Sequence, residues 1–126
     1  VTRQIDHRHV MRLLAFARIG LGVAMLALPG RALRAWLGDL DRPSRVLVRG
    51  VGARDVALGV GTLRALDRGD PSAREWVTAS GACDATDALA TLAAGRSLPL
   101  RGRLLGVAVA GAAAAACAAA RDRMGR

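Results

Sequence analysis

The stretch Val46-Leu47-Val48-Arg49-Gly50-Val51-Gly52-Ala53-Arg54-Asp55-Val56-Ala57-Leu58-Gly59-Val60-Gly61-Thr62-Leu63-Arg64-Ala65-Leu66 decides how this chain is read. It is apolar, free of proline and about as long as a bilayer-crossing helix, which needs about 20 residues for a hydrocarbon core of roughly 30 Å. Yet Arg54 and Asp55 stand at its centre. Ionisable groups at membrane depth are costly and rare, so they mark a site or an obligatory ion pair.

Three further apolar runs flank this one. Residues 10–28 end at Pro29-Gly30, residues 76–94 carry Asp84 and Asp87, and residues 104–120 hold no charge. Arg12, Arg49 and Arg64 lie near run ends, where a long side chain can reach the headgroups. Arg18, Arg54, Asp55, Asp84 and Asp87 lie too deep for that. Between the first two runs, Leu33, Trp36 and Leu37 share a helical face that excludes Arg31 and Arg34, which predicts an amphipathic interfacial turn with Trp36 at headgroup level. Residues 67–74 and 95–102 are short hydrophilic turns punctuated by Pro71 and Pro99.

Composition agrees. With one Phe, two Trp and no Tyr, the chain lacks the large side chains that fill a soluble core of this size, whereas membrane helices associate through small residues. Mean hydropathy is +0.27 although 23% of residues are charged, because the charges gather at the ends of the runs. The expected fold is therefore all-α: a single membrane domain over residues 1–126, a four-transmembrane-helix bundle with a short amphipathic interfacial segment between helices 1 and 2. No linker is long enough to divide it. A cleavable signal peptide is not expected, since no small-x-small cleavage site precedes a soluble domain.

A net charge of +9 from 19 Arg and no Lys raises nucleic acid as a partner, but no aromatic stacking platform or nucleic-acid module is visible. Basic residues flanking spans attract anionic headgroups instead, so the lipid bilayer is the expected partner and nucleic acid is not. Cys83 and Cys117 lack metal-ligand spacing and read as packing residues, while His7-Arg8-His9 lacks a third ligand; neither metal nor cofactor is expected. Arginines divide almost evenly between the two sides, with Arg3, Arg8, Arg12 and Arg126 on the side of the termini. The basic segment before the first run favours cytoplasmic termini in a multi-pass cell-membrane protein.

The buried polar residues fall on faces. Ser80, Asp84, Asp87 and Thr91 follow helical spacing, as do Gly52, Asp55, Gly59 and Thr62, with Arg54 about 100° to one side, and as do Leu14, Arg18, Gly22 and Met25. Three helices can turn these faces inward and bring Arg18 and Arg54 to the three carboxylates. Two arginines that keep their protons and three aspartates leave one carboxyl without a cationic partner. Asp84 or Asp87 is the candidate for that neutral acid.

Two readings of this cluster compete. Arg–Asp pairs can simply fix helix register, with the extra carboxyl bonded to Ser80, Thr62 or a backbone carbonyl. Gly102-x-x-x-Gly106 and the other helical glycines fit close helix packing.

The motif Arg49-Gly50-x-Gly52-Ala53-Arg54-Asp55-x-x-Leu58-Gly59, followed by Asp84-x-x-Asp87, with Pro29 and Trp36-Leu37-Gly38 before it, resembles small four-helix membrane proteins of unknown function frequent in actinobacteria. The resemblance spans roughly residues 12–120. It implies a four-helix membrane fold and no particular activity.

Three function classes follow. The first binds a small lipidic or isoprenoid-like molecule, with Asp84 or Asp87 as general acid, Asp55 as base or water-positioning group, Arg54 and Arg18 on an anionic or polar substrate atom, and Ser80, Thr62 and Thr91 lining the site; isomerisation, cyclisation or epoxide opening would suit that set. The second is an accessory or assembly subunit of a larger membrane complex, or a homo-oligomer. The third is a proton-linked carrier, for which no clear inverted repeat is present.

Overall fold

A computed structural model describes residues 6–124; Arg3 and Arg126, invoked above for orientation, lie outside the described residues. The described chain is all-helical: α1 (His7–Ala27), α2 (Pro29–Ala32), α3 (Arg34–Leu37), α4 (Arg42–Arg68), α5 (Ala73–Ala94), a 3₁₀ turn (Gly95–Ser97) and α6 (Leu100–Met124).

Local chemistry sets the helix ends. Asp6 accepts a hydrogen bond from the Arg8 backbone N–H at the start of α1, and Asp41 does the same for Ser44 at the start of α4, where Pro43 sits in the first turn. Pro29 cannot continue α1 and instead opens α2. Gly69 ends α4 in the left-handed conformation at φ 63°, its N–H returning to Ala65 and Leu66 carbonyls. The expected first-loop segment is split into two single turns, hinged at the buried Leu33 and stopped by Gly38 at φ 75°. Helices α4 and α5 begin at Arg42 and Ala73, several residues before the apolar runs do, because their caps lie in the polar loops.

Four long helices pack antiparallel in sequence order. α1 lies along α4, and their backbones cross where Gly22 faces Gly52: a Cβ on either would come within 2.6 or 2.7 Å of the other's carbonyl oxygen. Two turns further along α4, Gly59 seats Ile19 and Ala15. α5 pairs with α6 through Gly81 against Cys117, and α4 meets α5 more loosely, with the Trp76 ring on Gly61. α1 and α6 hardly touch. Small residues at the crossings are what close backbone approach requires. Gly102 and Gly106 depart from the expected helix–helix role: they receive Trp36 of α3, backbone against Gly102 and indole against Gly106. Gly20 and Gly111 face open space and contribute no packing.

Apolar side chains form two separate clusters. Met11, Leu66, Val77, Cys117 and Ala120 close the end bearing the termini; Met25, Leu33 and Val48 close the other. Between them, at mid-helix on α1, α4 and α5, lies the charged layer.

Of the four expected spans, two helices, α1 and α6, are long and apolar enough to cross a membrane by length and composition. α4 and α5 have the length, at 27 and 22 residues, but Arg54-Asp55 and Asp84/Asp87 depress their mean hydropathy.

Carboxylates at the N-cap of α4 and in the turn before α5 make these helix starts sensitive to pH. Hydrogen bonding by Ser44, through its side chain and its backbone N–H, holds the Asp41 carboxyl below the usual range, and Ser72, chiefly through its backbone N–H, does the same for Asp70. A carboxyl whose pKa is lower folded than unfolded stabilises above its unfolded value and loses that contribution as pH falls through the folded one. Amide exchange at Ser44 and Ser72 should therefore accelerate below the ordinary carboxylate range relative to the rest of α4 and α5. Asp41→Asn and Asp70→Asn, which keep an accepting oxygen but do not titrate, should abolish the difference.

Candidate functional site

The charged layer is a five-membered chain of ion pairs. Arg18 from α1 donates through Nη2 to Asp84 Oδ2 at 2.5 Å and through Nη1 to Asp55 Oδ1 at 3.1 Å. Arg54 donates through Nε and Nη2 to the same Asp55 oxygen at 3.1 and 3.0 Å, and through Nη1 and Nη2 to the two oxygens of Asp87 at 3.2 and 2.7 Å. The order is Asp84–Arg18–Asp55–Arg54–Asp87, linking three helices. Helical spacing explains it: Asp84 and Asp87 are separated by three residues on α5, and Arg54 and Asp55, adjacent on α4, point to neighbouring grooves.

Two expectations are corrected here. No carboxylate lacks a cationic partner, because each guanidinium bridges two carboxylates and Asp55 is shared by both. Nor do the hydroxyls join the network as expected: Thr62 donates to the Leu58 carbonyl and Thr91 to the Asp87 carbonyl, each one turn back on its own helix. The formal charge count still leaves three carboxylates against two guanidiniums.

Burial is graded along the chain. Side-chain exposure is 11% for Arg18, 8% for Asp55 and 9% for Asp84, against 30% for Arg54 and 24% for Asp87. The Arg18 end is therefore the one where a missing partner costs most, since water cannot substitute for it. Arg54 and Asp87 form a two-bond clasp on the wetter side.

Two apolar cavities flank the layer in the cleft that α1 and α6 leave between them. One, of about 160 Å³, is lined by Leu14, Arg18, Asp55, Ser80, Asp84 and Cys117 among others. The second, of about 220 Å³, lies towards α3 and is lined by Met25, Trp36, Asp55, Asp84, Asp87 and Gly106 among others. Leu21, Asp55, Asp84, Val109 and Ala113 border both. A dry cavity of about 150 Å³ already accepts a benzene-sized guest, so each space is large enough for part of a small hydrophobic molecule. Asp55 Oδ2 and Asp84 Oδ1 accept no hydrogen bond among the described residues, which leaves one oxygen on each for a donor in the cleft.

The sequence-predicted site residues are distributed as follows. Arg18, Arg54, Asp55, Asp84 and Asp87 come together; Ser80 lines the smaller cavity beside Asp84, Thr62 lines it from α4, and Thr91 is buried but borders neither space. Sequence reasoning missed Leu21, Val109 and Ala113, which form the cleft walls, because an apolar residue on an apolar helix gives no signal of facing a void. It also missed Trp36 as a wall: only the Gly102/Gly106 spacing on α6 hinted at a seat for a large ring. Both cysteines are free, and His7 contacts Arg123 at the far end of the bundle.

No protein-family model, curated protein or solved structure matches the chain.

Proposed function

We propose that this chain is a four-span membrane protein that binds a small lipidic or isoprenoid-like molecule in the α1–α6 cleft, with its polar end on the Asp84–Arg18–Asp55 segment of the ion-pair chain. The observation that carries this reading is the position of the charges: Asp55 and Asp84 border both apolar cavities, Arg18 lines the smaller and Asp87 the larger, while Arg54 lines neither. A purely register-fixing network has no need of adjoining empty space.

The membrane setting is supported by what the helices expose. Phe16 is 61% exposed, Leu47 72% and Leu104 63%, and α1 and α6 bury little of their apolar surface. Soluble monomers seldom expose apolar patches on that scale, whereas lipid covers them without cost. α1 and α6 pack antiparallel on α4 and α5. If the first pair crosses a bilayer, the second crosses with it, its charges paired within the bundle. The termini then share a side, and the basic N-terminal segment favours the cytoplasmic one.

Acid–base chemistry is compatible with the same arrangement. Three carboxylates facing two guanidiniums favour retention of one proton in a low-dielectric layer. Asp84, with one oxygen free towards the cleft, is better disposed to exchange that proton with a ligand than Asp87, both of whose oxygens Arg54 holds. A second reading, an accessory subunit whose charges only specify assembly, is favoured by the fact that all five groups have partners.

A photoreactive isoprenoid alcohol, titrated into protein in nanodiscs, separates the two. Val109 borders both cavities yet is 58% exposed, so Val109→Trp can fill the cleft without displacing core. The expected result is saturable labelling of wild type, at least tenfold weaker in Val109→Trp, with unchanged thermal stability. Labelling that is non-saturable and equal in both proteins sinks the ligand reading in favour of the structural one.

A further inference from the structure

A second groove lies between α4 and α5, towards the end of the molecule that bears the termini. Its floor is Ala57, Val60, Gly61, Arg64 and Arg68, which follow helical spacing on one face of α4, and its wall is Trp76 of α5. The space is about 400 Å³. Its lining changes character along its length: apolar at Ala57, Val60 and Gly61, then basic at Arg64 and Arg68 where α4 ends. Among the described residues neither arginine is within ion-pair distance of a carboxylate, although Arg12, at the same end, pairs with Asp67. The Trp76 ring rests on Gly61, a position where a Cβ would come within 2.5 Å of the ring, so the absent side chain is what gives the ring its place.

We propose that this groove is a binding site for one anionic membrane phospholipid, its phosphate held by Arg64 and Arg68 and the start of an acyl chain laid along Gly61, Val60 and Ala57 beside Trp76. The polarity gradient is that of the ligand. Two guanidiniums one helical turn apart suit a phosphate, to which each can offer paired N–H donors. An indole at the level of the glycerol backbone has an apolar body and a polar tip, as that depth demands. Asp70, at the loop end of the groove, accepts the Ser72 N–H through Oδ1 and lies beyond ion-pair distance of Arg68, although its charge still acts on that guanidinium. The proposal rests on the membrane setting above but not on any ligand in the cleft.

Fluorescence quenching tests it. In a Trp36→Phe background Trp76 is the sole tryptophan, and nanodiscs of phosphatidylcholine are doped with chain-brominated phosphatidylglycerol or with chain-brominated phosphatidylcholine. The expected result is that phosphatidylglycerol quenches Trp76 at a roughly tenfold lower mole fraction. Arg64→Gln together with Arg68→Gln, both at exposed positions, should erase that preference while leaving helicity and melting unchanged. Equal quenching by the two lipids, or a preference that survives the double substitution, would overturn the site. Inorganic phosphate arbitrates the source of the anion: if millimolar phosphate abolishes the preference in wild type, the groove is a free-phosphate site and the lipid proposal fails. Protein that does not enter nanodiscs at all would overturn the membrane setting and this site together.

Discussion

Arg18→Met should be the most destabilising single substitution in the protein, at about 3–5 kcal/mol, the range for removing one partner of a buried ion pair. Among the described residues Arg18 is the only ion-pair bridge from α1 to both α4 and α5, and its two carboxylate partners are each less than a tenth exposed. Methionine fills much of the volume but leaves Asp84 with no cation and Asp55 with Arg54 alone. The cost comes from stranding charge, not from losing a favourable bond. Neutralising what was stranded should therefore restore most of it: Arg18→Met with Asp84→Asn is expected to recover at least half of the loss. Thermal unfolding in detergent and in nanodiscs measures both. Arg54→Met, at the more exposed end, should cost distinctly less, and an equal cost would mean that burial does not grade the chain as described.

Gly52→Leu should have the second largest effect. A Cβ at that position meets the Gly22 carbonyl at 2.7 Å and the Met25 Cβ at 2.8 Å, both on or next to a helix backbone that cannot swing aside. The α1–α4 crossing must open, and overpacking of this kind costs about 1–3 kcal/mol or more. The consequence extends beyond packing, because Asp55 lies one turn along the same face and its bond to Arg18 spans that interface. Gly52→Leu should thus weaken ligand capture in the cleft as well as lower the melting temperature. Gly20→Leu and Gly111→Leu supply the control. Neither has a neighbour within reach of a new Cβ, so both should be neutral or slightly stabilising through better helix propensity. If all three glycines respond alike, close approach is not what Gly52 provides.

Several of these residues were legible in the sequence. Ser80, Asp84, Asp87 and Thr91 share a face because the spacing of an α-helix is fixed, and the same rule gave Asp55 its place facing α1 between Gly52 and Gly59. That Arg18 would meet those faces followed from charge: a guanidinium in an apolar helix needs a carboxylate, and few were available. The pairing itself was not legible. An arginine reaches several ångströms and has five donors, so whether it serves one carboxylate or two depends on helix rotation and separation, which periodicity does not encode. Counting one pair per arginine left a carboxylate over; the bridging geometry leaves none.

The small residues were ambiguous for a related reason. Gly22, Gly52 and Gly102 look identical in an alanine-rich chain, yet two form a backbone crossing and the third receives Trp36 from a loop helix. The cleft was invisible altogether. Leu21, Val109 and Ala113 read as lipid-facing or core positions, and a void is a property of how α1 and α6 fail to meet. Four spans were read from run length, while α4 and α5, with charge at mid-helix, fall short in hydropathy. Hydropathy alone favours α1 and α6.

In the proposed reading the charged layer serves the cleft and not only the packing of the helices. A density map of the protein in nanodiscs made from a native lipid extract tests it most directly. The expected map shows elongated non-protein density between Leu21 and Val109, with one end within hydrogen-bonding distance of Asp84 or Asp55 and α1 and α6 held apart. A map in which α1 and α6 close on each other, with no density in the cleft and only the Arg–Asp contacts at its waist, would contradict it.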